Sequence, residues 1–145
     1  MSDALVWQLI KNNNSFLVKR ERTNRSNQVM FSKESGNLMN VNTFKYSGIA
    51  NSKTVGIDTS DKTITMTLKV RNGASKKAQK PNTAVKVNLR KYAKTSLSAI
   101  ENQATSQFYR ADLKSAAKAR YLRMYGDVRI KKGLAKKAIT KHHRK

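Results

Sequence analysis

The charge on this chain, and its uneven placement, constrains the fold more than any motif does. Thirty-one lysines and arginines stand against eight aspartates and glutamates, a formal net charge of +23 on 145 residues. Residues 1–75 hold 11 basic and 5 acidic side chains, a net +6, whereas residues 76–145 hold 20 and 3, a net +17. From residue 128 to the end there is no acid at all. A compact body with that excess of one sign repels itself unless something neutralises it. Nucleic acid is the simplest such partner, because each phosphate contact releases counterions and so gives affinity independent of sequence.

The length supports one domain with an appended tail. Only 38% of the residues are hydrophobic, with one Trp, five Tyr and four Phe, which is enough for one modest core. There is no cysteine. Disulfides, thiolate zinc sites and thiol catalysis are therefore excluded, and a reducing compartment is favoured. No run approaches the roughly 20 apolar residues of a membrane span. The N-terminus lacks the basic and apolar segments of a signal peptide. A soluble intracellular protein is expected, with no membrane partner and no homo-oligomer.

Hydrophobic spacing predicts an α+β fold: a small antiparallel sheet with an N-terminal helix, then two C-terminal helices and an extended basic tail. Residues 3–11 have helical spacing, with Ser2 or Asp3 as cap and Leu5, Leu9, Ile10 and Trp7 as core residues. Residues 15–20 and 29–31 read as strands, and 42–47 alternates around Phe44 and Tyr46. Residues 54–59 and 63–71 form a β-hairpin, since β-branched residues alternate on both sides of Ser60-Asp61-Lys62. Residues 72–82, with Gly73, Pro81 and three lysines, form an exposed basic loop. A helix over 89–104, capped by Asn88, presents Leu89, Ala93, Leu97, Ile100 and Ala104 on one face. A second helix over 111–125 ends at Gly126. It carries Leu113, Ala116, Ala117, Tyr121 and Met124 on one side, with Arg120 among them. The expected division is a compact domain over 1–127 and a basic extension over 128–145. Alone, that extension buries too little to offset its ordering entropy.

No catalytic constellation is visible. His142 and His143 are adjacent on the tail, and the eight carboxylates are scattered, so no tuned acid–base pair is proposed. The six glycines are isolated and form no phosphate-binding loop. No catalytic, metal or cofactor site is expected. Basic residues beside aromatic ones remain: Phe44-Lys45-Tyr46, Arg90-Lys91-Tyr92, Phe108-Tyr109-Arg110 and Arg120-Tyr121-Leu122-Arg123. Such a ring either stacks on an unpaired base while the cation meets phosphate, or anchors the core while the cation reaches outward. With no helix-turn-helix, zinc finger or basic zipper, folded RNA read by shape is the expected partner.

Several stretches, in order and at matching spacing over about residues 5–120, resemble one family. They are Leu5-Val6-Trp7-Gln8, Asn12 and Ser15-Phe16-Leu17-Val18-Lys19-Arg20; then Asn42-Thr43-Phe44-Lys45-Tyr46-Ser47-Gly48 and Lys53-Thr54-Val55-Gly56; then Thr95-Ser96-Leu97-Ser98-Ala99-Ile100, Tyr109-Arg110-Ala111-Asp112-Leu113 and Ala116-Ala117. The pattern is similar to that of the eukaryotic large-subunit ribosomal protein L28e family. The resemblance implies a small α+β domain on ribosomal RNA of the large cytosolic subunit, beside neighbouring ribosomal proteins and without enzymatic activity. It implies RNA contacts at Lys19, Arg20, Lys45, Lys53, Tyr109 and Arg110. A related domain opens a nucleolar large-subunit assembly factor of the Mak-sixteen type, so a factor binding pre-rRNA is the alternative. That family carries cysteines and a long acidic continuation, which this chain lacks.

The expected RNA-binding set joins these positions to the other cations. It comprises Lys19, Arg20, Lys45, Tyr46 and Lys53, then Lys76, Lys77 and Lys80 of the loop. From the helical region come Arg90, Lys91, Lys94, Tyr109, Arg110, Lys114, Lys118, Arg120 and Arg123, and from the extension Arg129, Lys131, Lys132, Lys136 and Lys137. Its mechanism would be phosphate neutralisation on a cytoplasmic ribosome, after transit through the nucleolus during assembly.

Overall fold

The computed structural model describes residues 2–20, 28–60, 63–70, 83–89, 92–106 and 108–136. Helix α1 (Asp3–Ile10) starts at Ser2, whose hydroxyl accepts from the Leu5 N–H at 3.3 Å. Strands β1 (Leu17–Arg20) and β2 (Val29–Ser32) pair antiparallel, with Val18 opposite Phe31. A bridge from Phe31 to Val41 widens this ribbon. Strands β3 (Val55–Ser60) and β4 (Thr63–Val70) form the expected hairpin, Ile57 opposite Met66, and the Thr63 hydroxyl donates to the Ser60 carbonyl at 2.9 Å. Period-two alternation puts Val55, Ile57, Ile64, Met66 and Leu68 on one buried face. Helices α2 (Ala93–Glu101) and α3 (Lys114–Lys131) supply Ile100, Ala116, Ala117 and Tyr121 to the same core, and a π-helical turn after α2 (Asn102–Ser106) adds Ala104. Burying each large apolar side chain contributes roughly 1.5–3 kcal/mol, so this layer of helices on sheet holds the molecule together. The architecture is α+β, with its strands divided between a two-stranded and a three-stranded sheet.

Four local expectations are corrected. First, residues 83–89 are strand β5, with Leu89 opposite Ile64, Val87 opposite Met66 and Val85 opposite Leu68. Leu89 fits a helical face, but it also ends a period-two run, and pairing satisfies the peptide groups along the edge of β4. Asn88 therefore lies opposite Thr65 and caps nothing, and α2 begins only at Ala93. Second, Gly126 does not end the last helix. A mid-helix glycine costs about 1 kcal/mol, but the apolar seam continues beyond it to Val128, which is 5% exposed. The stop is Gly133 at φ +71°. Its N–H donates to the Ile130 carbonyl and the Leu134 N–H to that of Arg129, which is the Schellman closure that a left-handed glycine permits. The stretch expected to form an extension thus begins inside α3.

Third, within the stretch that alternates around Phe44 and Tyr46, residues 44–46 form one 3-10 turn and not an extended segment. Fourth, α1 contributes no buried residue; Leu5 is 50% and Leu9 66% exposed. The helix is too short to cover the core and docks by its edge. Asp3 accepts from the Ser52 N–H at 2.9 Å, Trp7 packs against Phe44, and the Lys11 carbonyl accepts from the Asn42 amide. Those contacts turn Leu5 and Leu9 outward. The basic loop 72–82 lies outside the described residues.

Candidate nucleic-acid interface

A shelf of irregular backbone over residues 33–54 packs onto the sheet and carries the first group of cations. Three glycines that are far apart in sequence meet beneath it. Gly36 sits at φ +79°, a conformation that favours glycine. A Cβ at Gly48 would lie 1.8 Å from the Ser35 carbonyl oxygen, so only glycine lets these two segments touch. The buried Glu34 carboxylate organises the shelf, accepting from the Ser47 hydroxyl at 3.0 Å, the Ile49 N–H at 3.2 Å and the Asn37 amide. Lys69, from β4, donates to the carbonyls of Gly48 (3.1 Å) and Asn51 (3.0 Å). Burial lowers its pKa, and the charges of Asp3 and Glu34 offset part of that. The charge pattern gave no sign of this inward-facing lysine.

Tyr109 and Arg110 lock the shelf to the helical layer. The Tyr109 hydroxyl accepts from the Thr54 N–H at 3.1 Å and lies within donating reach of the Thr54 and Lys69 carbonyls. Burial holds its pKa above the usual phenol range. The Arg110 guanidinium donates to both carboxylate oxygens of Asp112 and to the carbonyls of Lys53 (2.8 Å) and Lys45 (2.9 Å). Hydrogen bonding from Arg110 keeps the Asp112 carboxyl below its ordinary value. Both residues were expected at RNA; in the free chain their polar atoms are engaged within the protein. Their effect is to aim Lys45 and Lys53, which are exposed. The Lys45 ammonium lies 5.6 Å from the centre of the Tyr46 ring and that of Lys53 5.7 Å from the Tyr109 ring. Neither lysine is in an ion pair among the described residues. Phe44, half exposed, continues this surface.

Helix α3 carries the second group, in two halves. In the first, Lys114 and Lys118 both pair with Glu101 of α2, whose carboxyl they hold below its normal value through hydrogen bonds, that of Lys114 the largest. Arg120 donates to the Ile57 carbonyl at 3.3 Å and faces Asp58 at 3.9 Å, which explains a cation on the apolar side. In the second half, the Arg123 side chain is 84% exposed, reaching Asp127 at 4.0 Å. Arg129 lies over the Tyr125 ring, and Lys131, Lys132 and Lys136 are exposed. Elsewhere, Lys19 and Arg20 are exposed on β1 and Lys94 on α2. Lys76, Lys77, Lys80, Arg90, Lys91 and Lys137 lie outside the described residues. The aromatic partners divide: Tyr121 is buried and Tyr46 packs on the core, whereas Tyr92 and Phe108 project.

Among the described residues no group of acidic or histidine side chains is placed to hold a metal. No helix there is long and apolar enough to cross a membrane. What the surface offers is exposed ammonium groups beside half-buried rings, with few carboxylates close by.

The family model described as the Ribosomal L28e protein family matches residues 5–126. A Dictyostelium discoideum protein named "Large ribosomal subunit protein eL28" is 36% identical over 141 residues, which is 95% of this chain and 98% of that one. Its Caenorhabditis elegans namesake is 42% identical over 86 residues, covering 59% of this chain and 65% of its own length. The Schizosaccharomyces pombe protein of the same name is 35% identical over 81 residues, 56% of this chain and 57% of its own.

Proposed function

The chain belongs to the ribosomal L28e protein family, and on that premise we propose that it is held in the large subunit by folded ribosomal RNA, whose phosphates it neutralises. It is a protein of the large ribosomal subunit, and its role there is structural. The observation that carries the RNA reading is the pairing of +23 net charge with cations of two kinds. Arg110, Arg120 and Lys69 are tied to protein carbonyls, so the scaffold is rigid where it must be. Lys45, Lys53, Arg129, Lys131, Lys132 and Lys136 point outward with few carboxylates beside them. Each such cation that meets a phosphate releases counterions. Close packing of RNA helices is where that neutralisation matters most, and neighbouring ribosomal proteins share the surface. Assembly would carry the chain through the nucleolus before the subunit reaches the cytoplasm. The alternative of a nucleolar assembly factor draws no support from relatives named as subunit proteins.

Sucrose-gradient sedimentation of the tagged protein from cells, followed by a high-salt wash, tests subunit residence. Stoichiometric migration with large subunits, monosomes and polysomes through the wash is the expected result. Confinement to pre-subunit fractions would overturn it. The salt dependence of affinity for protein-free large-subunit rRNA tests the mechanism, and a flat dependence would refute phosphate neutralisation.

A further inference from the structure

Phe108 is the residue whose placement the fold does not explain. Its side chain is 90% exposed, the most exposed of the large apolar residues described. Its backbone is at φ +51°, a left-handed conformation that residues with a Cβ rarely adopt. The buried Ala104 lies in the π-helical turn that follows α2, and its carbonyl accepts from the Arg110 N–H at 3.0 Å. Tyr109 is fixed by Thr54 and Lys69, and Arg110 by Asp112 and two carbonyls. Residue 108 stands left-handed just before these two anchored residues. A corner of that kind suits glycine or asparagine. A phenylalanine there loses both backbone ease and the burial that its ring would gain inside the core.

The surroundings indicate what would compensate. Phe108 immediately precedes Tyr109, whose ring faces the Lys53 ammonium, and Arg110, whose guanidinium holds the Lys45 and Lys53 carbonyls, so the exposed ring leaves the same segment that anchors two exposed lysines. We propose that Phe108 stacks on an unpaired base of large-subunit ribosomal RNA while Lys45 and Lys53 meet the flanking phosphates. An aromatic face beside fixed cations is the arrangement that binds unstacked nucleotides with little sequence preference. Tyr109, the ring first expected in that role, is held by its hydroxyl and stays in the scaffold. The proposal rests on the RNA-binding reading above and assigns it a base contact.

The test compares the full chain with Phe108→Ala, Phe108→Trp and Phe108→Gly for binding to protein-free large-subunit rRNA at several salt concentrations. Phe108→Ala should weaken binding by about tenfold, within the range known for loss of one base–aromatic stack, and leave the salt slope unchanged. Phe108→Trp should restore affinity. Phe108→Gly should weaken binding like alanine and yet melt no lower than wild type, since glycine relieves the corner; this separates a lost stack from a damaged fold. Lys45→Gln with Lys53→Gln should flatten the salt slope instead. Wild-type affinity in Phe108→Ala would overturn the stack while leaving the RNA reading intact. A wild-type chain without salt-dependent affinity would bring down the RNA reading itself. If Phe108→Ala binds rRNA normally but enters subunits poorly, the ring meets a neighbouring protein, and the stack is likewise refuted.

Discussion

The two halves of α3 both carry lysines and arginines, but only the first ties its cations to other elements of the fold. In the first half, each cation with a bond assigned to it has a partner within the protein: Lys114 and Lys118 at Glu101, Arg120 at Ile57 and Asp58. In the second, Arg123 reaches only its own-helix neighbour Asp127 and Arg129 only the Tyr125 ring, while Lys131 and Lys132 stand in solvent although the helix beneath them is docked through Val128. A count of lysines and arginines treats the halves alike. What separates them is the position of Glu101 and the sheet, so charge reports function only after the carboxylates and carbonyls have been located.

The largest expected effect tests the first half as scaffold. Tyr121→Ala removes a fully buried ring and should cost about 3–5 kcal/mol in chemical denaturation. A loss below about 1 kcal/mol would mean that the half does not seal the core. The second half is tested by replacing Lys131, Lys132 and Lys136 with Gln together. The log–log salt slope for rRNA should become shallower by about 2 to 3, at 0.7–0.9 per lost phosphate contact. Folding stability should move by no more than about 0.5 kcal/mol, as is usual for surface changes. An unaltered slope would make these lysines solvated, and the contrast between the halves would fail.

Much of this was legible in the sequence. The hairpin and the faces of both helices follow from spacing, because Ile57, Met66, Ile100, Ala117 and Tyr121 repeat at the period of their elements. The boundaries were legible only in part. Leu89 satisfies two periods at once, and pairing with β4 decides between them. Gly126 and Gly133 are the same residue type, but only the second takes a positive φ, because Val128 keeps the chain helical past the first. The interface was the least legible. Lys69, Arg110 and Arg120 look like any other surface cation until the fold brings up the carbonyls that they bind, on residues at least 18 positions away. Phe108 stands in one of the basic–aromatic stretches, yet only Tyr109 entered the expected set, because backbone dihedrals leave no mark on composition.

Val128→Ala sharpens the comparison at its seam. Val128 is buried but belongs to the half whose neighbours face solvent, so its loss should cost about 2 kcal/mol. Thermal or urea unfolding measures this. A neutral result would mean that the second half is not docked, and that Lys131 and Lys132 are carried on a detached segment.

The smallest effect concerns the compensation that distinguishes the first half. Glu101 has a pKa lowered by Lys114 and Lys118, so the folded state holds its proton less tightly than the unfolded chain. A carboxyl depressed on folding adds stability above its unfolded pKa, near 4.5, and that stability is lost as pH falls through the folded value. Glu101→Gln should therefore melt slightly below wild type at neutral pH, with the gap closing as the solution is acidified below about pH 4.5. The pair is solvent-facing, so added salt should shrink the gap as well. Melting curves for both proteins across that range check the sign. If the gap is constant with pH, Lys114 and Lys118 are not compensated in solution, and the first half of α3 would present cations to RNA just as the second does.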